Sequence, residues 1–211
     1  MLFRLDFQTL ILLIPALIFA LSFHEFSHAW MANKLGDKTA TRLGRLTLNP
    51  IAHLDPVGSL MILFIGFGWA KPVPVDTRAL SNPRTDMMKI AAAGPLSNFL
   101  LAFIGGITLR LFNQYAFFTE PMYIMIIYFI QINIALAIFN LLPVAPLDGS
   151  QIFSGFLSKY NPNLAFKIET YGPQVLFGLI IFGYITGFSI LSIIMRPFIT
   201  FFMFIFAGIH F

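Results

Sequence analysis

Two histidines one helical turn apart, His24 and His28, bracket an acidic residue in the run His24-Glu-Phe-Ser-His28. On a helix, residues four apart share a face, so both imidazoles can converge on one divalent ion. Glu25 is rotated away by about 100°, close enough to reach a water on that ion without being a ligand. Such a set suits hydrolysis of a carbonyl compound. Zinc lowers its water's pKa toward ~7 and polarises the carbonyl, and a carboxylate takes the proton. The plainer alternative is a histidine pair hydrogen-bonded inside a helix bundle. The setting weighs against it. From Phe7 to Ala32 the chain is mostly Leu, Ile, Phe and Ala, long enough as a helix to cross a hydrocarbon layer of ~30 Å. Polar side chains at that depth are expensive and mark function by default.

A catalytic zinc takes three protein ligands and keeps one position open. The chain has no cysteine, so the third ligand must be His, Asp or Glu. Asp6, Asp37, Asp76, Asp86, Glu120 and Glu169 lie in polar or interfacial stretches. Asp148 differs: Leu147-Asp-Gly149 follows one apolar stretch and opens another. Asp148 could equally be a helix N-cap, or do both. His53 and Asp55 form a second polar pair that reads as loop structure. Asn98 and Asn140 are amides in apolar helices, where asparagine often binds helices together. The position of Asn140, shortly before Asp148, also makes it a candidate hydrogen-bond donor to an oxyanion.

The elements that must position these residues are membrane elements. Apolar residues make up 58% of the chain and charged residues 10%, with a mean hydropathy of +0.83; a soluble domain carries roughly 25% charged residues. The sequence predicts an all-α polytopic membrane protein of about six hydrophobic segments, some re-entrant or broken, with a small re-entrant β element. The net charge of +4 comes from residues between apolar segments. Topology explains it, so the expected partner is a lipid bilayer and not nucleic acid. With no internal repeat and no soluble domain, residues 1–211 read as one membrane-embedded unit. Its first segment lacks a cleavage pattern and reads as a retained helix.

Helix one is expected from about Asp6 to Asn33. Thr39, Thr41 and Thr47 among Arg42, Gly44 and Arg45 favour a short β-hairpin within 34–55. Val57–Gly68 is apolar but short for a span. Trp69–Val75 should be extended, because Pro72 and Pro74 exclude an ordinary helix. Further helices are expected over Arg84–Phe112, Pro121–Leu142 and Leu147–Ser158. A last tract, Gln174–Phe211, is interrupted at Arg196-Pro197. Lys34, Lys38, Arg42, Arg45, Lys71 and Arg78 fall between helix one and the Arg84–Phe112 helix, and Arg84 and Lys89 at the start of the latter, which puts that region in the cytoplasm and the N-terminus outside. His28 then lies ~9 Å from the cytoplasmic end of its helix.

His24-Glu25-x-x-His28 followed by Asn140-x-x-Pro143 and Asp148-Gly149 resembles the site-2 protease family of intramembrane zinc metalloproteases. Leu46-Thr-Leu-Asn-Pro50, Phe67-Gly-Trp-Ala-Lys-Pro-Val-Pro-Val75 and Gly94-Pro-Leu-Ser-Asn98 resemble its compact bacterial and archaeal members. The resemblance covers most of Leu21–Ile152. It implies one zinc per chain on His24, His28 and Asp148, with Glu25 as general base, and polar roles near the scissile carbonyl for Asn140 and Asn98. It implies transmembrane protein substrates and a prokaryotic cell membrane. The chain departs from many relatives at Ser150 and Gln151, where they carry Gly and Arg, and it leaves no room for a PDZ or CBS domain. The Trp69–Val75 strand could receive an unwound substrate by strand addition, or be a Pro-rich connector that guards an edge. From another class, an intramembrane ion site would use the same His and Asp but has no need of Glu25, and a transporter should show inverted repeats. A hydrolase acting on lipids has no feature in its favour.

Overall fold

Alanine and serine line one side of the first long helix and decide what it packs against. In the computed structural model, which describes residues 7–65, 68–113 and 118–209, helix α1 (Phe7–Lys34) buries Ala16, Ala20, Ala29 and Ala32 with Ser22, His24 and His28. Ile11, Phe19 and Trp30 on its other faces stay exposed. Small side chains let helix backbones approach closely in a bilayer. The partner, α4 (Pro83–Asn113), answers with Ala91, Ala93 and Gly94. Helix α4 is the hub: it also packs against α5 (Glu120–Asn140), α6 (Asp148–Leu157) and α8 (Ile190–Ala207), while α7 (Pro162–Thr186) leans on α6.

The apolar core sits where α4, α5 and α8 meet, around Ala102, Leu109, Ile130, Ile134, Ile138 and Met203. Ring pairs Phe99–Phe202 and Phe103–Phe206, at 4.7 and 5.5 Å between centroids, advance together, so α8 runs in the same direction as α4. Arg110 closes that pairing. Its guanidinium donates to the carbonyls of Phe204 (2.9 Å) and Ile205 (2.6 Å) at the end of α8, where the helix dipole is negative.

Helices α1, α4, α5, α7 and α8 are each long and apolar enough to cross a bilayer, and the chain is an integral, multi-pass membrane protein. The sixth apolar segment, α3 (Pro56–Ile65), has ten residues. At ~1.5 Å per residue it reaches about half the hydrocarbon thickness, which agrees with a short, non-spanning segment. Glycine makes one approach possible here: a Cβ on Gly58 would collide with the backbone carbonyl of Trp69.

Two local expectations are corrected. The stretch 34–55 forms no hairpin; it holds one helical turn, α2 (Thr39–Arg42), and a 3-10 turn over Pro50–Ala52. Side chains took the backbone groups a ladder needs. Asp37 accepts from Thr39 N at 2.8 Å, Thr47 Oγ1 from Asn49 N at 3.1 Å, and Asn49 Oδ1 from Ile51 N at 3.1 Å. Among the described residues, β structure is reduced to an isolated antiparallel bridge between Leu54 and Ala70.

The C-terminal tract breaks not at Arg196-Pro197, which lie inside α8, but between Thr186 and Ile190. Gly187 ends α7 in the left-handed region (φ 73°), and Ser189 caps α8 by accepting from Ser192 N. Both are standard terminators, whereas a proline inside a membrane helix is tolerated. The tract also begins earlier than expected, at Pro162, capped by Asn161.

Residues 71–76 run without helix between α3 and α4, as the prolines require. We refer to this segment as the strap. At its exit the Arg78 side chain donates to Asp76 at 2.9 and 3.0 Å, holding that carboxyl below the usual carboxylate range.

Candidate metal centre

The α1–α4 contact sets the imidazoles, one by a side chain and one by backbone. His24 Nδ1 lies 2.6 Å from Asn98 Oδ1. The Asn98 amide nitrogen donates to two acceptors, Ala20 O (3.2 Å) and Asn133 Oδ1 (2.8 Å), so its oxygen must face the histidine. Asn133 is held in turn by donating to Phe129 O at 2.8 Å. His28 Nδ1 lies 2.7 Å from the Ile90 carbonyl, which can only accept. Both Nδ1 atoms therefore carry a proton, and each Nε2 presents a lone pair when its ring is neutral.

These two lone pairs meet a third acceptor. The Nε2 atoms are 3.0 Å apart. Asp148 Oδ2 lies 3.1 Å from His24 Nε2 and 3.3 Å from His28 Nε2. Asp148 is the first residue of α6, and Leu147 holds the N-cap position, so the carboxylate is turned to the histidines and not used as the cap. Its Oδ2 is buried and receives no hydrogen bond. Two imidazole nitrogens and a carboxylate oxygen converging on one point suit a cation. Tetrahedral zinc with N and O ligands at ~2.0–2.1 Å separates its ligands by about 3.3 Å, close to the triangle observed. The donor set, two imidazoles and one carboxylate, is one that catalytic zinc uses. No other cluster of His, Asp or Glu with this convergence occurs among the described residues.

Gly94 completes the cradle from α4. A Cβ there would lie 2.6 Å from His24 Nε2 and Cε1, and closer still to His28 Nε2. The next residue, Pro95, has no N–H to offer the Ala91 carbonyl one turn back, and Ala91 lies on the wall of the cavity in front of the triad.

That cavity holds about 400 Å³. Its polar wall is His24, Glu25, His28, Asn140, Asp148 and Gln151, and Leu21, Met87, Leu136, Phe139 and Leu176 are among its apolar lining. Gly68, Trp69, Ala70 and strap residues Pro72, Val73 and Val75 form another side. Glu25, 9% exposed, lines the space with the triad. Asn140, at the end of α5, donates to Leu136 O at 3.0 Å and lines it too. Asn98 stands behind His24 instead, fully buried, with both amide atoms engaged. His53 and Asp55 lie in the loop: His53 Nε2 pairs with Thr47 O, and Asp55 accepts from Gly58 N.

Sequence reasoning missed Gly94 and Asn133 as contributors. Asn133 had a signal, being a second asparagine two turns before Asn140 on the same apolar helix. Removing the orienting amide gives a direct test. Asn98→Ala is expected to weaken zinc binding roughly 10–100-fold, as loss of a ligand's hydrogen-bond partner does. Competition with a chelating dye checks it, and wild-type affinity would refute the orienting role.

Residues 12–125 and 114–183 match the model of peptidase family M50. The protein YwhC of Bacillus subtilis (strain 168), designated a candidate zinc metalloprotease, is 43% identical over 165 residues, covering 76% of this chain and 75% of that protein. MJ0611 of Methanocaldococcus jannaschii, of the same designation, is 31% identical over 140 residues, 66% of this chain and 65% of its own. Rip2 of Mycolicibacterium smegmatis, again so designated, is 32% identical over 147 residues, covering 66% of this chain and 54% of the relative. No solved structure matches.

Proposed function

Because the chain belongs to peptidase family M50, we propose that it cleaves peptide bonds within or beside the membrane-spanning segments of other membrane proteins. Its coarser description is a zinc metalloprotease embedded in the bilayer. The observation that carries the proposal is the depth of the triad. His24 and His28 lie inside the apolar stretch Thr9–Lys34, so a peptide reaching them does so at membrane depth.

His24, His28 and Asp148 hold the metal. When bound, zinc supplies Lewis-acid polarisation of the scissile carbonyl and lowers the pKa of water toward ~7. Glu25 takes a proton from the attacking water and returns it to the leaving amine. Asn140 uses one amide N–H on Leu136 O and has a second for an oxyanion. Asn98 acts through His24, holding its tautomer and ring direction, rather than on substrate.

A helical substrate protects its own backbone, so cleavage requires local unwinding and new partners for the freed groups. The strap supplies them. Lys71 turns both backbone groups to the protein: its N–H donates to His53 O (2.7 Å), and its carbonyl accepts from Arg45 (2.5 Å). Successive residues of an extended chain point their groups to opposite edges, so the carbonyls of Ala70 and Pro72 face the other way. That edge offers acceptors, and Pro72 has no donor to return. The basic residues from Lys34 to Lys89 support, by the positive-inside rule, a cavity that faces the cytoplasm of a prokaryotic cell and an N-terminus outside.

The test is metal content and cleavage measured together on the purified chain, with a panel of single-span substrates and product masses locating the cut. The expected result is one zinc per chain and scission within or beside the span. Activity should vanish on chelation and return with stoichiometric zinc. Zinc without cleavage of any substrate would favour a metal-binding membrane protein that does not hydrolyse. Cuts confined to soluble loops would remove the intramembrane part of the reading.

A further inference from the structure

Two charged side chains outside the metal centre are buried yet form no ion pair with a described residue. Asp37 is fully buried and Arg45 is 7% exposed. Charges in that state are costly unless hydrogen bonds compensate them, so their partners show what they are for. Both reach the backbone of the strap. Arg45 donates to the Lys71 carbonyl at 2.5 Å. Asp37 accepts from the Asp76 N–H at 2.9 Å with one oxygen and from Thr39 N at 2.8 Å with the other. The strap is thus gripped at its two ends by opposite charges, and Pro72 and Pro74 fix φ between them.

The Asp37 end is tied to the metal helix. Asp37 N donates to Ala32 O in the last turn of α1 at 3.0 Å, and Gly36 (φ 108°) makes the turn that brings the carboxylate round. The Arg45 end is tied to the loop: Arg45 N donates to Ala40 O at 2.8 Å. Pro72, Val73 and Val75, between the two grips, line the cavity in front of the triad.

We infer that Asp37 and Arg45 are positioning residues for substrate: together they hold the strap as one unit at a fixed place beside the metal, so that an unwound peptide paired to it is presented to the triad. This rests on the proposed reading of the site, in which the strap receives substrate. Neither residue hydrogen-bonds to His24, His28 or Asp148, so zinc binding should not depend on them. Hydrogen-bonded charges are the stronger kind of anchor, and misplacement of a bound peptide by about 1 Å costs on the order of 100-fold.

The experiment uses zinc-loaded full-length protein and its variants Asp37→Ala, Arg45→Gln and the double variant. The near-isosteric Asp37→Asn is kept for the case that alanine does not fold. Zinc content, kcat and KM on a single-span substrate, and hydrogen exchange of the 71–76 amides are recorded for each. The expected result is wild-type zinc, faster exchange at Val75 and Asp76, and KM raised about tenfold or more by each single change. The double variant should lose no more than the worse single one, because one unit is released once; coupling of that kind marks residues acting through a shared element.

Unchanged exchange in Asp37→Ala and Asp37→Asn would overturn the clamp whatever the activity. Faster exchange with wild-type KM would overturn the positioning role and leave the chemistry of the triad untouched. Losses that multiply in the double variant would show two independent residues and also refute it. A wild-type enzyme that cleaves nothing would instead sink the reading of the site, a result visible before any variant is made.

Discussion

Gly94→Ala is expected to fold and to lose its metal. The substitution isolates the space in front of the imidazoles from every other property of α4. Alanine is favoured over glycine inside a helix by about 1 kcal/mol, which offsets part of the cost of displacing the imidazoles, so the metal-free variant is expected to fold. Its added methyl, however, would stand 2.6 Å from His24 Nε2 and nearer to His28 Nε2. The rings cannot simply retreat. Asn98 and the Ile90 carbonyl hold their far sides at 2.6 and 2.7 Å, and yielding would break those bonds in a buried site. Zinc affinity should fall by at least about 100-fold, in line with the loss of ligand geometry, and cleavage with it. Equilibrium dialysis against buffered zinc, with thermal unfolding of both metal-free proteins, separates the two effects. Wild-type affinity in Gly94→Ala would show that the triangle of acceptors is not where the metal sits.

Glu25→Gln should give the opposite pattern, full metal and no turnover. The amide keeps the size and the position of the carboxylate on the cavity wall but cannot accept a proton. General base catalysis is worth about 10²–10⁴-fold, so kcat should drop by roughly 10³-fold with zinc still at one per chain. KM should change little, since the side chain is not part of the strap or of the apolar wall. A variant that keeps more than a tenth of wild-type kcat would remove Glu25 from the proton path. A variant that loses zinc would instead make Glu25 a ligand, against the three-residue set.

What was legible in the sequence was what carries a cost at membrane depth. His24, Glu25, His28 and Asp148 stand out because polar groups in apolar helices need a reason, and the helical repeat says which of them can meet. The long helices were legible for the same reason, through unbroken apolar runs. Gly94 was not, because its contribution is the absence of a side chain at a contact between two helices, and only the packing of α1 on α4 shows what that absence leaves room for. Asn98 looked like a group for the substrate because an amide's direction is set by its neighbours; Ala20 O and Asn133 Oδ1 turn its oxygen to His24. The threonines of 39–47 suggested strands, but Asp37, Thr47 and Asn49 side chains captured the local N–H groups first. Arg196-Pro197 looked like a break because proline ends helices in water, while the smaller signal, Gly187 with Ser189, carried the caps.

The tie between Asp37 and the last turn of α1 has a mechanical consequence. His24 and His28 sit on the same rigid rod from whose end Asp37 reaches the strap, so metal and strap are the two jaws of one caliper. The spacing between them follows from the length of α1 beyond His28 and the turn at Gly36. Under the proposed reading, a single-span substrate with small residues at the scissile bond is expected to be cut faster than one with bulky residues there, which a pair of substrates differing only at that bond checks. On that reading, selectivity would follow local side-chain size and ease of unwinding more than a recognition sequence.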